Sequence, residues 1–208
     1  MFKILAVVVV LLLCSGVMNA EDKRNFVPLP DGVSQYGDTV YMSISIMDFD
    51  GLRDKFIGLQ KFHWKKMIID LCTGGGSVFD AMAMVSLMDE QKESGKIIEI
   101  RGRGIIASAG LIVLQGGTPG YRFLDSLAMV MFHEMTSYKL FTADTPTSSE
   151  ENARILRKIQ DQVISFIVSR SSISKTDLDA KIKNKEFWMD ANEAIRYGFA
   201  DKIWTPGK

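Results

Sequence analysis

Apolar and polar positions along the chain predict strands that alternate with helices. Residues 40–46 alternate as a half-buried strand does, and residues 67–71 form a compact apolar strand. Between them, residues 50–60 have the spacing of a short helix. Further strands are predicted at 97–100 and 127–132. Because no linker or internal repeat separates these elements, the pattern predicts a single α/β domain.

Two glycine-containing turns, residues 74–77 and 104–110, each follow a predicted strand and open a predicted helix. The segment 105–114 is apolar nearly all round except at Ser108, which predicts a helix buried on every side. The helix after the first turn is apolar on one face, at Val78, Ala81, Met82, Val85 and Met88.

The longest predicted helix runs from about Ser149 to Ser169, and residues 148–151 fit a capping box at its start. A second capping box, 190–193, precedes a short helix that ends at Gly198. The apolar stripe of the long helix fits either an intramolecular core or a subunit interface, and comprises Ile155, Leu156, Ile159, Val163, Phe166 and Ile167.

The first twenty residues have the order expected of a signal peptide. Lys3 is the only charge before Glu21, residues 4–13 are an unbroken apolar run, and Ser15, Gly16 and Ala20 supply small residues afterwards. A membrane span needs roughly 20 apolar residues, so an uncleaved anchor is the weaker alternative. We therefore expect residues 1–20 to be removed and the chain to be exported, either to a periplasm or out of the cell.

Behind the signal peptide, residues 21–39 are polar and rich in proline and glycine, which predicts an arm, and residues 40–208 form the folded domain. Cleavage would leave Cys72 as the only cysteine, so no internal disulfide is expected. Lys and Arg together number 25, as do Asp and Glu, so there is no excess of basic residues that would indicate nucleic-acid binding. Two histidines and one thiol are too few to predict a metal site, and no cofactor is expected.

Ser108 and His133 are the main candidates for chemistry. A serine among small residues at the start of an apolar helix is unusual, although it could simply bond a carbonyl of its own helix. His133 directly follows the strand predicted at 127–132, where a side chain can face a cleft. The other histidine, His63, lies in a basic and aromatic stretch and is expected at the surface.

These segments resemble the Clp protease proteolytic-subunit family. Residues 70–78 resemble its glycine turn, 104–110 its nucleophile turn, 129–133 its catalytic-histidine strand and 188–201 its closing segment. The resemblance covers roughly residues 40–204. It implies the crotonase-like ββα spiral, with the long helix as a protruding handle.

The resemblance also implies the site residues of a serine endopeptidase. Ser108 would be the nucleophile and His133 the general base, and the backbone N–H groups of Gly75, Gly76 and Ala109 would form the oxyanion hole. The acid that orients the histidine would be Glu186, where the family has an aspartate. Two other acids are less suitable, since Asp190 is explained by its capping box and Asp179 by an exposed helix position.

Several departures from the family leave alternatives open. Gly74 replaces the proline of the glycine turn, and Glu134-Met135 replaces a Gln-Pro pair beside the groove, so the family's cleavage preference does not carry over to this chain. The alternatives are a Ser–Lys protease of the signal-peptide-peptidase type with Lys139 as base, an acyl-CoA enzyme of the crotonase superfamily, and a degenerate scaffold without activity.

The expected partners also follow from the resemblance. It implies a homo-oligomeric ring that cuts peptides or unfolded proteins. The chain contains no glycine-rich phosphate loop ending in Lys-Ser or Lys-Thr, so any unfoldase would be a separate, unknown partner. Contact with a membrane is expected only if the signal sequence is retained.

Overall fold

The computed structural model describes residues 28–136 and 145–205. The signal peptide predicted at 1–20 and Lys139 lie outside these residues. Within the described parts, the strands are β1 (Ser34–Tyr36), β2 (Thr39–Ile44), β3 (Lys66–Thr73), β4 (Ile97–Ala107), β5 (Arg122–Leu124), β6 (Met129–Phe132), β7 (Phe187–Asp190) and β8 (Lys202–Ile203). The helices are α1 (Phe49–Leu59), α2 (Val78–Glu93), α3 (Ala109–Gln115), α4 (Pro146–Ser169), α5 (Lys175–Ile182) and α6 (Ala191–Arg196).

One mixed sheet organises the domain, with strand order β1-β2-β3-β4-β5-β8. The strands from β2 to β8 along this path pair in parallel, and only β1 is antiparallel to its neighbour. Strand β4 is long enough to have two neighbours on the same side: its residues 100–102 pair with β5 and its residues 105–107 pair with β6. Strand β6 then pairs antiparallel with β7. The predicted single α/β domain is confirmed.

Alternating burial on the strands explains which sheet face the helices cover. In β2, Val40, Met42 and Ile44 are buried, while the residues between them are more exposed. Their apolar side chains join one core with residues of α2 and α3, including Met84, Met88 and Leu111. Burial of each such side chain stabilises the fold by about 1.5–3 kcal/mol. The helices are thereby fixed against the strand ends that carry the candidate residues.

The helix predicted at 105–114 is partly wrong. Residues 105–107 continue β4, because they pair with β6, and helix α3 begins only at Ala109. Periodicity could not separate the two, since a strand buried on both faces and a buried helix are both continuously apolar. Every residue of α3 is buried, as predicted for that part of the segment.

Other elements differ from the prediction because pairing, and not local pattern, defines them. Part of the predicted arm is β1, which forms a hairpin with β2. Strands β5, β7 and β8 are only two to four residues long and were not predicted. The capping box at Asp190 and Glu193 is confirmed, and it begins α6.

Helix α4 begins two residues before the predicted capping box. Its N-cap is Thr145, whose side chain accepts a hydrogen bond from the Ser148 N–H at 3.2 Å, while the Thr145 N–H donates to the Ser148 hydroxyl at 2.9 Å. The stripe is covered only towards the C-terminal end, where Val163 and Ile167 are buried, whereas Ile155 is 43% exposed. The N-terminal part of α4 therefore protrudes from the domain. None of the described helices has the combined length and apolar character that a bilayer span requires.

Candidate active site

Ser108 occupies the single residue between β4 and α3. Its backbone has φ +54° and ψ −119°, a conformation that costs a non-glycine residue of order 1–3 kcal/mol. This conformation is held on both sides of Ser108. The Ser108 N–H donates to the Met131 carbonyl oxygen at 2.8 Å on β6, and the next residue begins the buried helix α3. The Ser108 hydroxyl does not cap α3. The turn therefore presents this hydroxyl away from its own helix.

His133 follows β6 directly and lies beside this hydroxyl. The distance between His133 Nε2 and Ser108 Oγ is 2.9 Å, and both side chains are half-buried. In the tautomer with an unprotonated Nε2, the serine hydroxyl donates to that nitrogen. This is the distance at which a general base can take the proton of a nucleophile.

The first glycine turn lies against Ser108. Gly75 has φ +108°, and a Cβ built on Gly75 would lie 2.7 Å from Ser108 Cβ. Only a residue without a side chain allows this approach. Gly76 has φ +145° and lines the same cleft as Ala109. In the described part of the chain, neither the Gly76 N–H nor the Ala109 N–H has a hydrogen-bond partner, so both are available to an oxyanion.

A cleft of about 370 Å³ adjoins Ser108 and His133. Backbone of the glycine turn forms one wall. Apolar side chains from α2, α3, α4, β6 and the segment after β6 also line the cleft, together with the polar side chains of His133 and Thr136. The apolar lining residues are Val78, Ile112, Val163, Phe132 and Met135. The cleft can accept an apolar side chain next to the Ser108 hydroxyl.

Comparison with known proteins identifies the family. Residues 56–207 match the family model described as Clp protease. The chain belongs to the Clp protease family. It is 31% identical over 146 residues to the ATP-dependent Clp protease proteolytic subunit of Streptococcus thermophilus, covering 68% of this chain and 69% of that protein. The protein of the same name from Lactococcus lactis is 29% identical over 162 residues (74% and 77%), and that from Streptococcus mutans 28% over 142 residues (67% and 68%).

The mixed α/β fold is consistent with that of the Clp protease family, whose members are serine endopeptidases. The matched region contains Ser108, His133 and both glycine turns. The nucleophile, base and oxyanion roles of these residues stay predictions, supported by the geometry described above.

Glu186 is the predicted acid at the position where the Clp protease family has an aspartate. Strands β6 and β7 pair Phe132 with Phe187, so one further step of this register sets His133 opposite Glu186. The Glu186 carboxylate nevertheless accepts a hydrogen bond from Trp188 Nε1 at 2.8 Å, and the structure shows no hydrogen bond between Glu186 and His133. The register is suitable for a triad, whereas this rotamer is not.

The other acids considered are occupied elsewhere. Asp190 caps α6 by accepting a hydrogen bond from the Glu193 N–H at 2.7 Å, and Asp179 pairs with Lys175 at 2.9 Å on α5. His63 is exposed, as predicted. Over residues 28–136 and 145–205, no group of three or more His, Cys, Asp or Glu side chains could hold a metal ion.

The segment after His133 is held on both sides by contacts that the sequence did not reveal. The Met135 N–H donates to Gln160 Oε1 on α4 at 3.0 Å. Glu134 Oε2 accepts from the N–H of Asn184, two residues before Glu186, at 2.8 Å. These contacts join residues distant in sequence, and no local pattern could have indicated them.

Asp201 fastens the closing segment to the sheet. Its carboxylate accepts hydrogen bonds from the Arg122 guanidinium, at 2.6 Å and 3.1 Å, and from the Gly120 N–H at 2.9 Å. Burial alone would raise the pKa of this carboxyl, but the hydrogen bonds from Arg122 and Gly120 outweigh burial and lower the pKa below its usual value. The pair is therefore charged at neutral pH.

Proposed function

We propose that this protein is a serine endopeptidase that hydrolyses peptide bonds of peptides or unfolded proteins through an acyl-enzyme. The observation that supports this most strongly is the 2.9 Å distance between Ser108 Oγ and His133 Nε2. A serine hydroxyl is a weak nucleophile until a base adjoins it. Membership of the Clp protease family gives the same reaction class.

In the first half of the reaction, Ser108 Oγ attacks the carbonyl carbon of the peptide while its proton passes to His133 Nε2. The carbonyl π electrons move to the oxygen, and the Gly76 and Ala109 N–H groups hold the resulting oxyanion. The carbon–nitrogen bond then breaks, and His133 gives its proton to the leaving amine. An ester between Ser108 and the acyl half of the substrate remains.

In the second half, water attacks the carbonyl carbon of this ester while His133 takes a proton from the water. A second oxyanion forms in the same place, the bond to Ser108 Oγ breaks, and the serine recovers its proton from His133. The products are a free carboxylic acid and the restored enzyme.

Gly75 was also predicted to donate its N–H to the oxyanion, but that N–H donates to Thr73 Oγ1 at 3.2 Å in this structure.

Glu186 is proposed as the third member of the triad. Its place opposite His133 in the β6–β7 register is suitable, and a rotation of its side chain away from Trp188 would bring the carboxylate towards the imidazole. Such a contact would hold the tautomer in which Nε2 accepts the Ser108 proton. In the alternative, a degenerate scaffold, Glu186 would keep its observed contact with Trp188 and the triad would stay incomplete.

The apolar lining of the cleft supports a preference for peptides with an apolar residue on the acyl side of the cleaved bond. Val78, Ile112 and Val163 would surround that side chain, and its removal from water would contribute about 25 cal/mol per Å² of apolar area. A charged residue there would have no partner among these side chains.

We also propose that the protein is a homo-oligomer. Only part of the apolar stripe of α4 is covered by its own domain, and the exposed part, which includes Ile155, suits pairing with another copy. Light scattering on the purified chain tests this, and a monomer with full peptidase activity would refute it.

Export is proposed from residues 1–20 alone. The mature protein is expected to begin near Glu21 and to be found outside the cytosol. Mass spectrometry of the protein isolated from its native host gives the N-terminus directly, and a retained Met1–Ala20 segment would favour an anchor instead.

Hydrolysis of a short fluorogenic peptide with an apolar residue before the cleaved bond tests the proposed activity. The wild type should release the fluorophore, whereas Ser108→Ala and His133→Ala should not. A folded wild-type protein that is inert towards a panel of such peptides would favour the degenerate scaffold.

A further inference from the structure

Thr73 is a buried side chain that touches both turns of the candidate active site. It is the last residue of β3, directly before the glycine turn, and it is 2% exposed. Its hydroxyl accepts a hydrogen bond from the Gly75 N–H at 3.2 Å and can donate to the Gly75 carbonyl oxygen at 3.4 Å. Both backbone polar groups of Gly75, its N–H and its carbonyl oxygen, therefore contact the Thr73 hydroxyl.

The methyl group of the same side chain faces the second turn. A Cβ built on Gly110 would lie 2.7 Å from Thr73 Cγ2, so the methyl packs directly on the backbone of α3 at the second residue of this helix. Gly110 immediately follows Ala109, whose N–H is one of the two proposed oxyanion donors. The hydroxyl therefore bonds to the residue before Gly76, and the methyl packs against the residue after Ala109.

The hydrogen bonding of Gly75 also distinguishes this residue from the other two predicted oxyanion donors. The Gly75 N–H is engaged by Thr73, and Gly75 does not line the cleft, whereas Gly76 and Ala109 do. If the Thr73 hydroxyl were removed, the peptide groups of Gly75 would be free to rotate, since glycine populates many backbone conformations. Rotation of Gly75 would change the direction of the next N–H, that of Gly76.

We propose that Thr73 is a positioning residue for the oxyanion hole: its hydroxyl orients the Gly75–Gly76 backbone, and its methyl sets the distance to the start of α3. The inference rests on the proposed peptidase function and deepens it. Thr73 does not touch the reacting atoms, so its effect should appear in transition-state binding and not in binding of the peptide.

Replacement of Thr73 tests the two halves of its side chain separately. Thr73→Val keeps the shape and removes the hydroxyl, whereas Thr73→Ser keeps the hydroxyl and removes the methyl. Thr73→Ala, compared with Thr73→Ser, is a second hydroxyl deletion in case the valine variant does not fold. For each variant we would measure kcat and KM on a fluorogenic peptide, the affinity for a peptide boronate that forms a tetrahedral adduct with a serine, and the melting temperature.

Loss of one oxyanion donor lowers kcat by about 10²–10³-fold, so a misdirected donor should lower it by about tenfold or more. Thr73→Val is expected to show this loss with KM within about twofold of wild type, and its affinity for the boronate should fall in proportion to kcat/KM. Thr73→Ser should keep kcat within about threefold. Thr73→Ala should lose about tenfold relative to Thr73→Ser.

Two results would overturn the role of Thr73 while leaving the peptidase function intact. One is a Thr73→Val enzyme with wild-type kcat and boronate affinity. The other is an equal loss of kcat in the serine and valine variants that follows the drop in melting temperature, because that would show packing alone. A wild type that neither cleaves the peptide nor binds the boronate would overturn the peptidase function, and the role of Thr73 with it.

Discussion

The Gln160 side chain on α4 accepts a hydrogen bond from the Met135 N–H at 3.0 Å, so the protruding helix is attached to the segment that begins just after His133. Met135 lines the cleft beside Ser108. The same helix thus supplies a wall of the cleft, through Val163, and a tether for the strand end that presents the candidate base. Movement of α4 would therefore displace Met135 and Val163 at the site.

Gln160→Ala is expected to lower kcat/KM about three- to tenfold, because an unsatisfied Met135 N–H costs about 1 kcal/mol or more and loosens the cleft wall. Gln162→Ala is a matched control two residues along the same helix, where the glutamine is exposed. It should leave peptide hydrolysis unchanged. Equal activity in both variants would show that the tether does not matter for catalysis.

Gly75→Ala should reduce kcat by at least about 100-fold. The added Cβ would lie 2.7 Å from Ser108 Cβ and 3.0 Å from the Ala107 carbonyl oxygen, at a φ of +108° that alanine rarely adopts. Gly74→Ala offers the matched control in the same turn, since a Cβ there meets nothing within 4 Å. Initial rates on a fluorogenic peptide compare the two, and a Gly75→Ala enzyme as active as Gly74→Ala would contradict the close approach.

Glu186→Gln should lower kcat at least tenfold at neutral pH if the carboxylate orients the imidazole, since an amide cannot stabilise an imidazolium as a carboxylate does. Trp188→Phe removes the present partner of Glu186 and should leave kcat unchanged or raise it. The pH profile of kcat/KM for each variant is the measurement. Full activity of Glu186→Gln, together with an inactive Ser108→Ala, would establish a Ser–His dyad instead.

Asp201→Asn should destabilise the fold by about 3 kcal/mol at pH 7, because it leaves the buried Arg122 guanidinium without its charged partner. The folded-state pKa of Asp201 is lowered, so this contribution is fully present above the unfolded-state pKa of about 3.9 and is lost as pH falls through the folded-state pKa.

Urea unfolding of both proteins at pH 7 and at successively lower pH values checks this prediction. The free energy of unfolding of the wild type should exceed that of Asp201→Asn by a constant amount down to about pH 4. Below about pH 4 this excess should become smaller. Glu151→Gln, which breaks the exposed pair with Arg154 on α4, should match the wild type throughout. A constant difference at all pH values would mean that the charge of Asp201 is not what stabilises the closing segment.

Much of the fold was predictable because strong apolar runs determine it. Strands β2, β3 and β6 and helix α1 lie close to their predicted ranges, and α2 follows the first glycine turn as predicted, since their apolar patterns are clear and are bounded by glycines or capping residues. The boundary between β4 and α3 was not predictable. It depends on pairing of residues 105–107 with β6, which is a contact between distant parts of the chain.

The candidate site also has some residues that the sequence indicates and some contacts that only the structure shows. Ser108 and His133 each stand out locally, one as the polar exception in an apolar segment and the other at a strand end, and the fold brings them together. The side-chain contacts of Thr73 and Gln160 carry no sequence signal, since threonine beside glycine and glutamine on a helix are common. The rotamer of Glu186 depends on a competing donor, Trp188, and therefore needed the structure.

The central claim, that Ser108 is a nucleophile activated by His133, is tested most directly by reaction with a fluorophosphonate followed by intact-mass and peptide mapping. The account predicts one phosphonyl group per chain, attached to Ser108, with labelling abolished in Ser108→Ala and slowed at least about 100-fold in His133→Ala. The folded protein would contradict the account if it took up no label, or if it was labelled at Ser108 equally fast with and without His133.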